Sequence, residues 1–174
     1  MLTLLTFHGS DHLPSHSPFG LKAMCLLQMS GQDWQAEYTG DLAAQPLGRL
    51  PVLRVGDRLI PDSHHIQEYL EAQGADFNPG LTAAQRALSH AVIRMVEDSL
   101  RIGLVHDRWL HPDVWPILRD QFFAEVPAPA REAVAGEVQA QVRAGLMGQG
   151  IAQFSEEDRL RRLAKDVMAL ETLL

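Results

Sequence analysis

The chain contains a single cysteine, Cys25, among its 174 residues. An internal disulfide is therefore impossible, no cysteine zinc cluster can form, and a reducing, cytoplasmic setting fits this composition. Cys25 lies between Met24 and Leu26 in a helix-like stretch. We therefore expect it to be an inert thiol buried in a core.

Clusters of basic residues and long apolar runs are also missing. The 22 acidic residues outnumber the 15 Lys and Arg, giving a formal net charge of -7. This balance argues against nucleic acid or an anionic membrane surface as the main partner. Because no apolar run approaches the roughly 18 residues of a membrane span, and no export signal opens the chain, we expect neither membrane insertion nor export.

The first 73 residues carry alternating strand and helix signals. An apolar run at residues 2–7 predicts a buried central strand. The pair Gly56-Asp57 between two apolar segments predicts a two-residue hairpin. The predicted order is β-α-β-(α)-β-β-α, where the bracketed element is one irregular helical turn within residues 41–50. These residues predict a small α/β domain at 1–73, and a Gly- and Pro-containing linker follows at 74–81.

Residues 82–174 show only helical patterns. Thr82 with Gln85 resembles a capping box and opens a long helix to about Trp109. Three further helices are predicted at about 113–123, along a valine stripe that ends at Gly148 and Gly150, and from Ser155 onward. The last apolar stripe runs to Leu174 without a cap, so we expect the natural domain to be longer. An all-helical domain at 82–174 is the prediction.

The serine Ser17 lies directly before the predicted start of the first helix. Pro18 suits the first helical position because it has no backbone donor, and Ser17 before it is then the N-cap. The free amides and dipole of a helix N-terminus favour a negative charge at that point. The sequence alone therefore indicates either a simple helix cap at Ser17 or a place that holds an anion.

Three segments together resemble the glutathione transferase superfamily. They are Ser17-Pro18-Phe19 with Lys22, the segment from Pro46 to Leu53, and Asp62-Ser63 with the helix that follows. The resemblance implies a thioredoxin-like N-terminal domain followed by a helical one. The stretch 148–174 is more similar to the metaxin and Fax-related branch, which has members with no well-defined activity.

The resemblance implies a role for each site residue. Ser17 would face the glutathione thiol and favour its thiolate, with Ser15 as the alternative. Leu50, before a cis Pro51, would offer its backbone to the cysteinyl unit, while Asp62 and Ser63 would hold the γ-glutamyl end. Lowering a thiol pKa by about 2 units takes roughly 2.7 kcal/mol. One charge-assisted hydrogen bond of roughly 1.5–3 kcal/mol and a helix N-terminus of roughly 0.3–1 kcal/mol suffice.

The function implied is a glutathione transferase that adds glutathione, as co-substrate, to an electrophilic and mostly apolar small molecule. Residues Arg94 to Arg101 would flank that second substrate, and a homodimer is the default because homodimers are common in this superfamily. The alternative is a non-catalytic glutathione-transferase-like binding or adaptor module.

Three other groups of residues are expected to have structural roles or none in the site. The spacing of His8, His12 and His16 suits a metal only on a continuous helix, which Gly9 and Pro14 interrupt, so we expect no metal. His64 and His65 are expected at the surface. The aromatic residues that we expect in the core or at a dimer contact are Trp109, Trp115, Phe122 and Phe123.

Overall fold

The computed structural model describes residues 1–173, and Leu174, the last residue of the predicted apolar stripe, lies outside them. The chain divides into two compact units, Met1–Gly80 and a second from Leu81 onward. Among residues 1–173, no helix combines the length and the apolar character needed to cross a membrane.

The first unit contains a four-stranded sheet of β1 (Leu2–Thr6), β2 (Trp34–Tyr38), β3 (Val52–Val55) and β4 (Arg58–Pro61), in the order β2-β1-β3-β4. Strands β1 and β2 are parallel, whereas β3 is antiparallel to both β1 and β4. The predicted order of elements is confirmed except for the bracketed helix. In its place are two turns, closed by Gln45 N–H to the Leu42 carbonyl at 3.1 Å and Gly48 N–H to the Gln45 carbonyl at 3.0 Å. The elements are β1 Leu2–Thr6, α1 Pro18–Ser30, β2 Trp34–Tyr38, β3 Val52–Val55, β4 Arg58–Pro61 and α2 Ser63–Ala72.

Strand β1 is buried along its whole length, as its apolar run predicted. Successive side chains of a strand point to opposite faces of the sheet. Leu4 belongs to a cluster with residues of α1 and α2, among them Leu27 and Ile66. Leu5 belongs to a second cluster with Leu50 and Val52. Both faces of β1 are therefore covered by apolar side chains. This explains why its sequence does not alternate apolar with polar residues as a strand with one face in solvent would.

The expectation of a buried Cys25 is wrong, because this residue is exposed. The buried face of α1 includes Gly20, Ala23, Met24 and Leu27, which follow the i, i+3, i+4, i+7 spacing of one helix face. Each residue turns a helix by about 100°, so the side chain directly after Met24 points away from that face.

Several predicted helix ends are confirmed. Ser17 caps α1 with Pro18 in its first turn, and Gly31 closes that helix at φ 68°. The capping box of Thr82 and Gln85 is present. These ends depend on neighbouring residues alone, so the sequence is sufficient to predict them.

The second unit is helical, and the predicted long helix is continuous from residue 83 to residue 110. Its middle turn, Met95–Leu100, is a π-helix that the sequence did not predict. Gly103 packs closely against Leu163 of the last helix, Glu156–Leu173, since a Cβ added at Gly103 would stand 2.4 Å from Leu163 Cδ1. The elements are α3 Ala83–Arg94, the π-helical turn, α4 Arg101–Leu110, α5 Trp115–Phe122, α6 Ala128–Gln149, a 3-10 turn Ile151–Gln153 and α7 Glu156–Leu173.

The four predicted aromatic residues form one partly buried group around Trp109. Its ring stacks on Trp115 with the centroids 5.5 Å apart, and Phe122 and Phe123 meet it edge-on at 6.4 and 6.5 Å. Offset and edge-on pairs of this kind are favourable beyond the area that they bury. They pack the end of α4 against α5.

Candidate functional site

The pairing register of the strands brings the end of β1, the start of β3 and the end of β4 to one end of the sheet. Leu5 lies opposite Val52, and Val52 lies opposite Pro61. The end of β1, the start of β3 and the end of β4 therefore meet at the same edge. Helix α2 begins directly after β4, with Asp62 as its N-cap.

Ser17 is tied to that end of the sheet through Ser15. The Ser17 N–H donates to Ser15 Oγ at 3.2 Å, and Ser15 Oγ lies 3.1 Å from Thr6 Oγ1 at the end of β1. Ser17 Oγ accepts from the Gly20 N–H at 3.2 Å. The Ser17 side chain therefore serves as the N-cap of α1 and remains partly exposed.

The two serines differ in their access to solvent. Ser15 is completely buried, and its hydroxyl already contacts Thr6 and the Ser17 amide. Ser17 is only half-buried. Of the two serines that the sequence left open, Ser17 is thus the one with part of its surface exposed to solvent.

Gly20 allows α1 to approach β1 closely. A Cβ added at this position would stand 2.4 Å from Thr6 Oγ1 and 2.8 Å from Ser15 Oγ. Thr6 and Gly20 therefore support the Ser17 position, and sequence reasoning missed both. The available signals were a threonine at the end of an apolar strand and a glycine in the first turn of a helix.

The Leu50–Pro51 peptide bond is cis, as the resemblance implied. Leu50 is buried, and its cluster with Leu5 and Val52 also contacts Phe7. The Pro51 carbonyl accepts from the Asp62 N–H at 3.1 Å. This bond joins the Leu50–Pro51 segment to the start of α2.

Asp62 and Ser63 occupy different environments. Asp62 is exposed, has φ 74°, and its Oδ1 accepts from the His64 N–H at 2.8 Å. Ser63 is the first residue of α2 and is only 2% exposed. Any ligand at this helix start would therefore meet the Asp62 carboxylate and the first amides of α2 more readily than the enclosed Ser63 side chain.

Among residues 1–173, no group of three or more His, Cys, Asp or Glu side chains is placed to hold a metal ion. His8 stacks on Tyr38, with the ring centroids 4.9 Å apart. His64 and His65 are exposed, as expected.

A thioredoxin-like α/β unit with a cis-proline before β3, followed by a helical unit, defines the glutathione-transferase fold class, as predicted. The family model for the glutathione S-transferase N-terminal domain matches residues 18–114, more than half of the chain. The chain belongs to this family.

One curated relative is Failed axon connections of Drosophila melanogaster, which is 30% identical over 114 residues. The match covers 65% of this chain, and the chain spans about a quarter of the relative, 27% of its length. The similarity to the Fax-related branch is thereby confirmed.

Solved structures of similar proteins include glutathione transferases from several organisms. A monomeric enzyme of the hookworm Necator americanus is 16% identical, with a TM-score of 0.47, over 75% of this chain and 68% of its own. A Sulfitobacter homologue with bound glutathione is 16% identical, with a TM-score of 0.47, over 85% of this chain and 66% of its own. A glutathione transferase of Phanerochaete chrysosporium is 18% identical, with a TM-score of 0.48, over 86% of this chain and 73% of its own.

Proposed function

We propose that the protein is a glutathione transferase that joins the glutathione thiolate to an electrophilic, mostly apolar small molecule. The observation that carries the proposal is the Ser17 hydroxyl. It caps α1 and belongs to a half-buried residue, whereas Ser15 is completely buried.

The proposed chemistry uses the hydrogen of the Ser17 hydroxyl. Ser17 Oγ accepts from the Gly20 N–H, and a serine hydroxyl that accepts still has its own hydrogen to donate. Donating it to the sulfur, with help from the α1 dipole, favours the thiolate over the thiol. The thiol proton goes to solvent. The thiolate sulfur then forms a bond to the electrophilic carbon, and in an aromatic halide the carbon–halogen bond breaks and the halide ion leaves with the bonding electron pair.

The remaining contacts in the proposal hold the tripeptide. The Leu50 backbone pairs with the cysteinyl unit as a neighbouring strand would. Asp62 faces the ammonium of the γ-glutamyl end, and a carboxylate has lone pairs beyond the one that accepts from His64. The backbone N–H of Ser63 and the other amides that open α2 bind the γ-glutamyl carboxylate, as helix N-termini bind anions.

The test compares Ser17→Ala with Ser17→Thr, which keeps a hydroxyl at the cap. In Ser17→Ala we expect turnover with an aromatic halide to fall about 10- to 100-fold, the worth of one charge-assisted hydrogen bond. The pKa of bound glutathione, titrated by thiolate absorbance, should rise in the same variant. Unchanged turnover and an unchanged titration in Ser17→Ala would remove Ser17 from this role.

A non-catalytic binding or adaptor module is the second candidate, and the match to Failed axon connections favours it. Retention on immobilised glutathione separates the two functions. A protein that flows through, with a Ser63→Ala variant that behaves identically, would support the module. Specific retention followed by turnover would support the enzyme.

The same proposal includes the oligomeric state and the cellular location of the protein. We expect a homodimer in a reducing, cytoplasmic location, which suits a chain with one unpaired cysteine. Sedimentation of the full chain over a range of concentrations tests the dimer. A single monomer-sized species at all concentrations would contradict it.

A further inference from the structure

The segment Pro61–Asp62–Ser63 has a backbone conformation that needs support. Asp62 has φ 74° and ψ 136°, a region that residues with a side chain rarely adopt. Such conformations persist only where the surrounding structure holds them. In the function proposed above, this residue and Ser63 bind the γ-glutamyl end of glutathione, so its geometry decides where those groups point.

Three hydrogen bonds hold the segment. The Asp62 N–H donates to the Pro51 carbonyl at 3.1 Å, and the His64 N–H donates to Asp62 Oδ1 at 2.8 Å. The third comes from the first turn of α2, where His65 Nδ1 lies 3.0 Å from the Pro61 carbonyl oxygen. The first two bonds hold Asp62 itself, whereas the third holds the peptide group between Pro61 and Asp62.

The third bond also determines which nitrogen of His65 carries a hydrogen. A carbonyl oxygen can only accept, so Nδ1 must be the donor. In the neutral ring, Nε2 then carries the lone pair. The bond persists when the ring gains a second proton, because Nδ1–H is present in both states.

We propose that His65 is a positioning residue for glutathione, which rests on the function proposed above. Its Nδ1–H anchors the Pro61 carbonyl and thereby keeps Asp62 and the first amides of α2 turned towards the γ-glutamyl group. His65 itself does not touch the reacting sulfur. Its loss should weaken glutathione binding and leave the bond-forming step unchanged.

The neighbouring histidine provides a matched control. His64 is also exposed and also lies in the first turn of α2. Its ring Nε2 lies 3.4 Å from Glu68 Oε1. Replacing this side chain leaves the backbone N–H that bonds to Asp62 in place, so His64→Leu changes the local surface without removing any of the three bonds.

The first experiment measures the Kd for glutathione and the steady-state constants of His65→Leu, His65→Asn and His64→Leu. The asparagine amide nitrogen takes the place of Nδ1 and should restore the bond. We expect binding about fivefold weaker in His65→Leu, the worth of one neutral hydrogen bond, with a raised KM and unchanged kcat. His65→Asn and His64→Leu should bind like the unaltered chain. Unweakened binding in His65→Leu, or equal weakening in His64→Leu, would overturn the proposal.

The second experiment needs no ligand. Nitrogen NMR of the unaltered protein should show the Nδ1–H tautomer of His65, and the His64 amide should exchange faster in His65→Leu than in His65→Asn. An Nε2–H tautomer, or equal exchange in the two variants, would overturn the positioning role. If the unaltered chain fails to bind glutathione, the proposed function is lost, and the tautomer with the exchange rates alone decides whether His65 holds this segment.

Discussion

At the scale of single residues, the two serines before α1 have separate tasks. The sequence presented them as alternatives for one role, because both lie in the loop after β1. In the structure Ser15 is completely buried, with its hydroxyl 3.1 Å from Thr6 Oγ1, whereas Ser17 is only half-buried. Burial depends on the return of α1 across the sheet, which no short-range pattern encodes.

Removing the buried hydroxyl should cost stability. Ser15→Ala takes away a partner of Thr6 and the acceptor of the Ser17 N–H. A polar group left without its partner costs about 1–3 kcal/mol, so we expect the free energy of unfolding to fall by that amount in urea titrations. The double variant Thr6→Val with Ser15→Ala should be less destabilised than the sum of the singles. Strict additivity would show that the two hydroxyls do not depend on each other.

Gly20 and Gly136 make a second comparison between single residues. Gly20→Ala would place a Cβ 2.4 Å from Thr6 Oγ1, whereas an added Cβ at Gly136, within α6, meets nothing within 4 Å. Overpacking costs about 1–3 kcal/mol, while glycine inside a helix is about 0.5–1 kcal/mol worse than alanine. Thermal unfolding should therefore show a lower Tm for Gly20→Ala and a higher Tm for Gly136→Ala. Equal shifts would contradict the close approach of α1 to β1.

At the scale of elements, the sequence predicts well what is local. The hairpin at Gly56-Asp57 and the caps at Ser17 and Thr82 are present as predicted, because each depends on a few adjacent residues. Three features escaped prediction: the turns within residues 41–49, the π-helical turn Met95–Leu100 and the exposure of Cys25. The exposure of Cys25 depends on which face of α1 packs on the sheet, and the composition of the segment does not specify that packing.

In the candidate site, too, the sequence predicts some residues and features, while others become visible only in the structure. Ser17 is recognisable as a helix cap from its neighbours, whereas the family resemblance supplied Asp62 and the cis-proline. The enclosure of Ser63 and the bond from His65 to the Pro61 carbonyl needed the structure. Both arise where β4 meets α2, at an angle that a single sequence does not reveal.

An ion pair that crosses the sheet gives a prediction about pH. Arg54 on β3 pairs with Glu37 on β2, and one of its two hydrogen bonds measures 3.2 Å. Strand β1 lies between them. This hydrogen bond from Arg54 lowers the pKa of Glu37 below its usual value near 4.5.

A lowered pKa in the folded state means that the ion pair adds stability above the ordinary pKa. That contribution is lost as the pH falls through the lowered value. In Arg54→Gln, an NMR titration of the Glu37 carboxyl should give a midpoint back near its ordinary value of 4.5. Glu37→Gln should make stability less dependent on pH below that point. A Glu37 midpoint that is the same with and without Arg54 would contradict the pairing.

At the scale of the whole molecule, buried apolar side chains are distributed unevenly. Both clusters of such side chains found among residues 1–173 lie in the first unit. From residue 81 to residue 173, the buried apolar residues are scattered, and they are Leu118, Ala135, Leu146 and Ile151. Since apolar burial is the main favourable term in folding, the two units should differ in stability.

Hydrogen exchange on the full chain can measure this difference. The amides of β1 and β3 are central in the sheet and surrounded by buried side chains, so they should be the slowest to exchange. The amides of α6 and α7 should exchange faster, because helices with few buried contacts open locally at a lower free-energy cost. Repeating the measurement at several protein concentrations separates intrinsic stability from protection by self-association. Helical amides as slow as those of β1 at every concentration would mean that the second unit has a source of stability beyond its own buried side chains.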